Sequence, residues 1–204
     1  MKILIIGPPR TGTTSLCRYL GKTLDYDIFS ELYNYDIRYR KGKDIPKYPF
    51  DLPEKCVVKS ITFQTPKEFG EPFMYTNFIN QYKTQFNHII LLSRRNIQEH
   101  LESFINLKYK LKKGVNAHEP WNFQDLKNFE HDISYEKNLK PHIDIIYKLE
   151  KILNVPITYY EDLYGNDRNK SLSIIKSWKI ELDNKKLNEY LNPKFKYRYS
   201  KKVI

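Results

Sequence analysis

The chain has 204 residues, room for one domain with a substantial core, and its two cysteines supply no disulfide framework and suit a reducing compartment. An aromatic share of 15%, led by 17 Tyr and 11 Phe, argues against disorder, and no apolar run approaches the ~20 residues of a membrane helix. The formal net charge of +11 leaves three explanations open: a nucleic acid partner, a small and highly anionic ligand, or a solvated lysine-rich surface.

Lys2–Ile6 is a short apolar run entering a Gly-Pro loop. It is too short for a signal peptide and reads as a buried strand, so a cytoplasmic location is the expectation. From Thr13 to Lys22 the apolar residues Leu16, Cys17 and Leu20, continued by Leu24, fall at helical spacing. The segment "YDIFSELYNY" reads as a second strand running into a loop, and residues 41–54, with three prolines and several charges, as a surface loop. "KCVVKS" (55–60) is the next strand, residues 74–86 a helix, and "HIILLS" (88–93) a strand of consecutive apolar residues. Residues 96–113 form a helix with Ile97, Leu101, Phe104, Ile105 and Leu111 on one side, ended by Gly114 and followed by the loop "VNAHEPWNFQD". A long helix is predicted from Ser134 to Asn154, with Ile143, Ile146, Tyr147 and Leu149 as core residues. After Pro156 come a strand, "ITYY" (157–160), and a last amphipathic helix over 168–182.

Strands alternating with helices predict an α/β fold: a single-domain three-layer sandwich over residues 1–204, with a central parallel sheet and a P-loop-like phosphate-binding loop after the first strand. Ligands in such sheets bind at the carboxyl ends of the strands, so the loops after "ILII", "KCVVK", "HIILLS" and "ITYY" should gather there.

The loop Gly7-Pro8-Pro9-Arg10-Thr11-Gly12-Thr13-Thr14 nearly fits G-x-x-x-x-G-K-[ST] but carries Thr13 where the lysine belongs. Backbone amides at a helix N-terminus still make an anion site, and Thr11, Thr13 and Thr14 add hydroxyls. In ATPases and GTPases the lysine reaches the β- and γ-phosphates, so this loop is poorly equipped for a nucleoside triphosphate. Its cation stands three positions earlier, at Arg10.

The stretch "PRTGTTSL" resembles the 5′-phosphosulfate loop of the sulfotransferases that use PAPS (3′-phosphoadenosine 5′-phosphosulfate), whose pattern is roughly P-[KR]-[ST]-G-[ST]-[ST]. The resemblance puts Arg10 at the family's cationic position and Thr11, Gly12, Thr13, Thr14 and Ser15 at its phosphate-contacting positions. The family's second signature, R-D-P-x-x-x-x-x-S after a buried strand, is matched in part by Arg95 and Ser103, with Asn96-Ile97 in place of Asp-Pro. These two donors are implied to hold the 3′-phosphate; Arg94 is adjacent and can substitute or serve the surface. "ITYYEDL" (157–163) resembles a third segment, whose Tyr contacts adenine, which implies Tyr160. Glu161 and Asp162 alternatively read as a metal-holding acid at a strand end.

The general base divides the family's branches. The cytosolic branch has a His in a K-[ST]-H pattern, but this chain reads Lys59-Ser60-Ile61. Another branch, including carbohydrate and glycolipid sulfotransferases, uses a Glu shortly after the first helix, which implies Glu31 as base. Arg10 and Lys59 would then stabilise the transferring group, and His118 and Glu119 are weaker alternatives as base. The five His are scattered without zinc-like spacing, so no metal site is expected. The resemblance implies PAPS as co-substrate, no metal, and a small-molecule or glycan acceptor. Two other readings stay open: a nucleoside or nucleotide kinase with a variant loop, and a noncatalytic basic module for nucleotide or nucleic acid. The tail over 192–204 interleaves Lys194, Lys196, Arg198, Lys201 and Lys202 with Phe195, Tyr197 and Tyr199, but no nucleic-acid-binding signature accompanies it and no nucleic acid partner is expected.

Overall fold

The computed structural model describes residues 1–30, 52–62, 75–112, 135–183 and 185, with the backbone alone at 110–112. Among them are five strands: β1 (Lys2–Gly7), β2 (Asp27–Ser30), β3 (Cys56–Ile61), β4 (His88–Ser93) and β5 (Ile157–Tyr159). They form one sheet in the order β2-β3-β1-β4-β5, and every pair is parallel. The helices are α1 (Thr13–Leu24), α2 (Tyr75–Tyr82), α3 (Ile97–Lys112), α4 (Tyr135–Asn138), α5 (Lys140–Leu153), α6 (Tyr160–Tyr164) and α7 (Arg168–Ser177), with a 3₁₀ turn at Lys83–Gln85.

The α/β three-layer arrangement follows from where alternate strand residues point. Leu4 and Ile6 of β1, Val58 of β3 and Leu91 of β4 pack against Phe78 and Ile79 of α2 and Ile146 and Leu149 of α5. Ile3, Ile5, Val57, Ile90 and Leu92 face the other way, onto Leu16 and Leu20 of α1, Leu163 of α6 and Ile175 of α7. Burial on both faces is why these strands read as unbroken apolar runs rather than alternating ones. Cys17 and Cys56 are free, buried, and on opposite faces of the sheet.

Several features differ from the sequence reading. The long helix predicted from Ser134 to Asn154 is broken at Leu139 into α4 and α5, because Pro141 lies in the first turn of α5 and has no N–H to donate to the preceding turn. Tyr147, a predicted core residue, is 44% exposed, since Ile143, Ile145, Ile146 and Leu149 form the buried side of α5. The last helix stops at Ser177 instead of reaching Leu182. Trp178, Ile180 and Leu182 all pack onto the α1 side of the sheet, a spacing of two that a helix cannot bury, and Lys179 turns the chain in a left-handed conformation. The residues read as loops at 41–51 and 115–125, Gly114 and the tail lie outside the described residues. Among the described residues, no helix is long and apolar enough to cross a membrane.

This order creates the crevice a ligand needs. The chain leaves β1 toward β2 on one side, while β4 leads to β5 on the other. In open parallel sheets the reversal between two such neighbours opens a cleft at their carboxyl ends. The phosphate loop follows β1 and α3 follows β4, so both border that cleft.

Candidate active site

The loop between β1 and α1 is built by close approach. A Cβ at Gly7 would stand 2.6 Å from Thr11 Oγ1 and 2.9 Å from Thr13 Cγ2, so only glycine fits. Gly12 takes φ 83, and a Cβ there would meet the ring of Tyr164 at 2.9 Å and that of Tyr160 at 3.2 Å. Thr11 is buried and its hydroxyl donates to the Pro8 carbonyl at 2.8 Å, so it closes the loop from within. Thr13 is buried as well, Thr14 half-buried and Ser15 exposed. Helix α1 has no side-chain cap at Gly12 and no acidic residue in its first turn, which leaves the positive end of its dipole toward the loop.

Two cations stand at this loop, Arg10 within it and Lys59 reaching in from β3. Arg10 adopts φ 69, and its Nε donates to Ser103 Oγ at 3.1 Å across 93 residues of sequence. Lys59 is 2% exposed, and its Nζ donates to Thr14 Oγ1 at 3.0 Å. The register explains its reach: Lys59 pairs with Ile5 of β1, two residues before the loop begins. Direct hydrogen bonds thus join two pairs at this loop, Arg10 with Ser103 and Lys59 with Thr14. Glu31 lies outside the described residues; Ser30 before it is in register with Lys59. His118 and Glu119 also lie outside them.

The turn from β4 into α3 is held by residues of α6. Glu161 accepts from the backbone N–H of Arg95 at 2.9 Å and of Asn96 at 3.2 Å, and from Arg94 Nε at 3.4 Å. Burial works to raise the Glu161 carboxyl, but these donors outweigh it and hold the group below the ordinary carboxylate range. Asp162 pairs with Arg95 and Lys170, and the hydrogen bond from Arg95 lowers its pKa. Asn96 Oδ1 accepts from Glu99 N–H, an N-cap role suited to Asn and Asp alike.

The two neighbouring arginines have different settings. Arg94 is buried, bonds Glu99 and Glu161, and stacks 4.5 Å from the Tyr160 ring centre. Arg95 is half-exposed, paired with Asp162 and 4.0 Å above the Tyr159 ring. Tyr160 opens α6 rather than ending the strand predicted at 157–160, and its ring lies 4.8 Å from that of Tyr164, beside Gly12. Arg95 is engaged by Asp162 and Tyr159, whereas the Ser103 hydroxyl accepts from Arg10.

Sequence reasoning missed two imidazoles. His100 is fully buried, with Nε2 2.8 Å from the Pro9 carbonyl oxygen. His142 shares a hydrogen bond between Nδ1 and the Thr62 hydroxyl, and its ring meets Phe104. Burial pushes both down to about 4, helped for His142 by the nearness of His100, so both rings are neutral at pH 7. His100 was readable in principle, since it shares the inner face of α3 with Ser103 and Phe104 one turn on. His142 had no local signal, because its partner Thr62 is 80 residues away.

No protein-family model matches the chain, and no curated protein matches its sequence.

Proposed function

We propose that this protein is a PAPS-dependent sulfotransferase acting on an acceptor hydroxyl, of a carbohydrate or glycolipid. The observation that carries this reading is the hydrogen bond from Arg10 to Ser103, which joins the two sulfotransferase-like motifs in the crevice between β1 and β4. The residues present suit a ligand with phosphates at two separate points. In this reading the amides of the Gly12–Ser15 turn, Arg10 and Lys59 serve one, and Ser103 and Arg95, which in this structure are bound to Arg10 and Asp162, turn to the other. Tyr160, beside Gly12, offers a ring face for the base.

When bound, PAPS supplies the sulfuryl group. In this reading the acceptor oxygen bonds to sulfur as the bond from sulfur to the 5′-phosphate oxygen breaks, and the hydroxyl proton passes to a base, for which Glu31 is proposed. Arg10 and Lys59 hold positive charge where the leaving oxygen becomes negative, and loss of one such group typically costs about 10²–10³ in rate. A cytoplasmic location belongs to the same proposal.

The acids the kinase reading would use, Glu161 and Asp162, are engaged by the β4–α3 turn and by Lys170, which favours the sulfotransferase reading. Calorimetry with 3′-phosphoadenosine 5′-phosphate (PAP) and with Mg-ATP tests the choice. Tight, metal-independent binding of PAP is expected, and a preference for Mg-ATP refutes the proposal. Glu31→Gln should abolish turnover and keep PAP binding; retained turnover removes Glu31 as the base.

A further inference from the structure

Helix α3 grips the phosphate loop at two successive residues. Ser103 accepts from Arg10 Nε, and one turn earlier His100 reaches the carbonyl of Pro9 at 2.8 Å. A carbonyl can only accept, so Nε2 of His100 carries the proton and donates it. Nδ1 is then a bare lone pair, and it is buried without a hydrogen-bond partner. The ring is thus a neutral, single-donor imidazole, fully enclosed, whose one polar contact is with the loop.

That contact falls where the backbone is least comfortable. Pro9 precedes Arg10, which holds a left-handed φ of 69 that non-glycine residues seldom adopt. The peptide joining them contains the very carbonyl His100 holds, and its orientation sets the direction in which Arg10 leaves the backbone. We propose that His100 is a positioning residue for the anion loop: its Nε2–H fixes the Pro9–Arg10 peptide, which keeps Arg10 in its left-handed turn and its guanidinium in the crevice. The inference rests on reading Gly7–Thr14 as an anion site; it does not depend on which group is transferred.

The neutral state follows from the surroundings. Burial lowers the His100 pKa to about 4 against the opposing pull of the Pro9 carbonyl, and the nearby Arg94 and Arg10 push the same way as burial. The chain therefore keeps a donor beside its loop without adding another positive charge next to Arg94 and Arg10.

The test uses the full chain, with inorganic pyrophosphate and PAP as calorimetric probes. His100→Gln keeps one donor and one acceptor and should bind both probes within roughly threefold of wild type. His100→Leu removes the donor, and His100→Asn keeps an amide too short to reach; each should weaken both probes by about tenfold, the typical worth of one lost hydrogen bond to a buried group. The Asn variant covers the case in which Leu fails to fold. In an Arg10→Ala background the same substitutions should cost less than about twofold, because there is no guanidinium left to position. Equal losses with and without Arg10, or a Gln variant as weak as Leu and Asn, overturn the proposal, and so does a wild-type chain that binds neither probe. A chain that binds pyrophosphate but prefers Mg-ATP to PAP refutes the sulfotransferase reading alone, and the pyrophosphate series then still decides the role of His100.

Discussion

Acidification from pH 7 to 5 should remove an unusually large share of this protein's stability, and His100 should account for about 2 kcal/mol of the loss. An ordinary imidazole titrates near 6.5, whereas His100 and His142 are held down to about 4. Between those values the unfolded chain takes up protons that the folded chain refuses, so stability is full above about pH 7 and falls as the pH drops toward 4. One such ring costs about 2 kcal/mol between pH 7 and 5, and two cost up to about 4 kcal/mol. The depressed carboxylates Glu161 and Asp162 add acid sensitivity of the same sign, beginning as the pH falls into the ordinary carboxylate range and continuing below it. His88, lowered by its burial and by the N-terminus, contributes in the same window as the other two rings. The assay is urea unfolding at pH 7, 6 and 5 for wild type and His100→Gln. The variant replaces the titrating ring by a neutral amide and should lose about 2 kcal/mol less over that range. Identical pH slopes for the two proteins refute the argument.

Three substitutions probe the site itself. Gly12→Ala forces a Cβ into φ 83 and against the Tyr164 and Tyr160 rings; thermal unfolding should show a loss of about 1–3 kcal/mol, and PAP titration a large fall in affinity, while an unaffected variant contradicts the described loop. Lys59→Met keeps length without charge and should lower turnover by about 10²–10³ while PAP affinity changes far less; equal losses in both make Lys59 a binding residue only. Arg95→Ala should weaken PAP but barely affect adenosine 5′-phosphosulfate, which lacks the 3′-phosphate, whereas Arg94→Ala should chiefly destabilise the fold by stripping a donor from Glu161; the opposite pattern exchanges their roles.

The sheet was legible because burial on both faces leaves a strong local trace. "ILII" and "HIILL" can hardly be anything but strands between two apolar layers. The loop was legible because its geometry depends on glycines at fixed positions. Helix breaks were less so: the periodicity from Ser134 to Asn154 is real, and the break comes from one missing N–H at Pro141, which apolar spacing does not register. Least legible were the contacts that assemble the site. Glu161 was attractive as a metal-holding acid because it follows a strand, yet its hydrogen bonds go to amides of residues 65 and 66 positions earlier. Only the topology, which sets β5 beside β4, puts that carboxylate within reach. The same holds for Lys59 and Thr14, brought together by the pairing of β3 with β1.

That pairing also accounts for the residue the loop lacks. In a triphosphate-binding loop the lysine follows the second glycine, which here is the position of Thr13. Thr13 is buried, and its methyl group lies within contact of Gly7, so position 13 is used for packing the loop onto the strand that precedes it. The neighbouring strand supplies an ammonium instead: Lys59 enters from β3 and ends on the hydroxyl of Thr14, one residue further into the helix. Arg10 supplies the second charge from the front of the loop, held by α3. The positive charge therefore flanks the helix N-terminus from two sides.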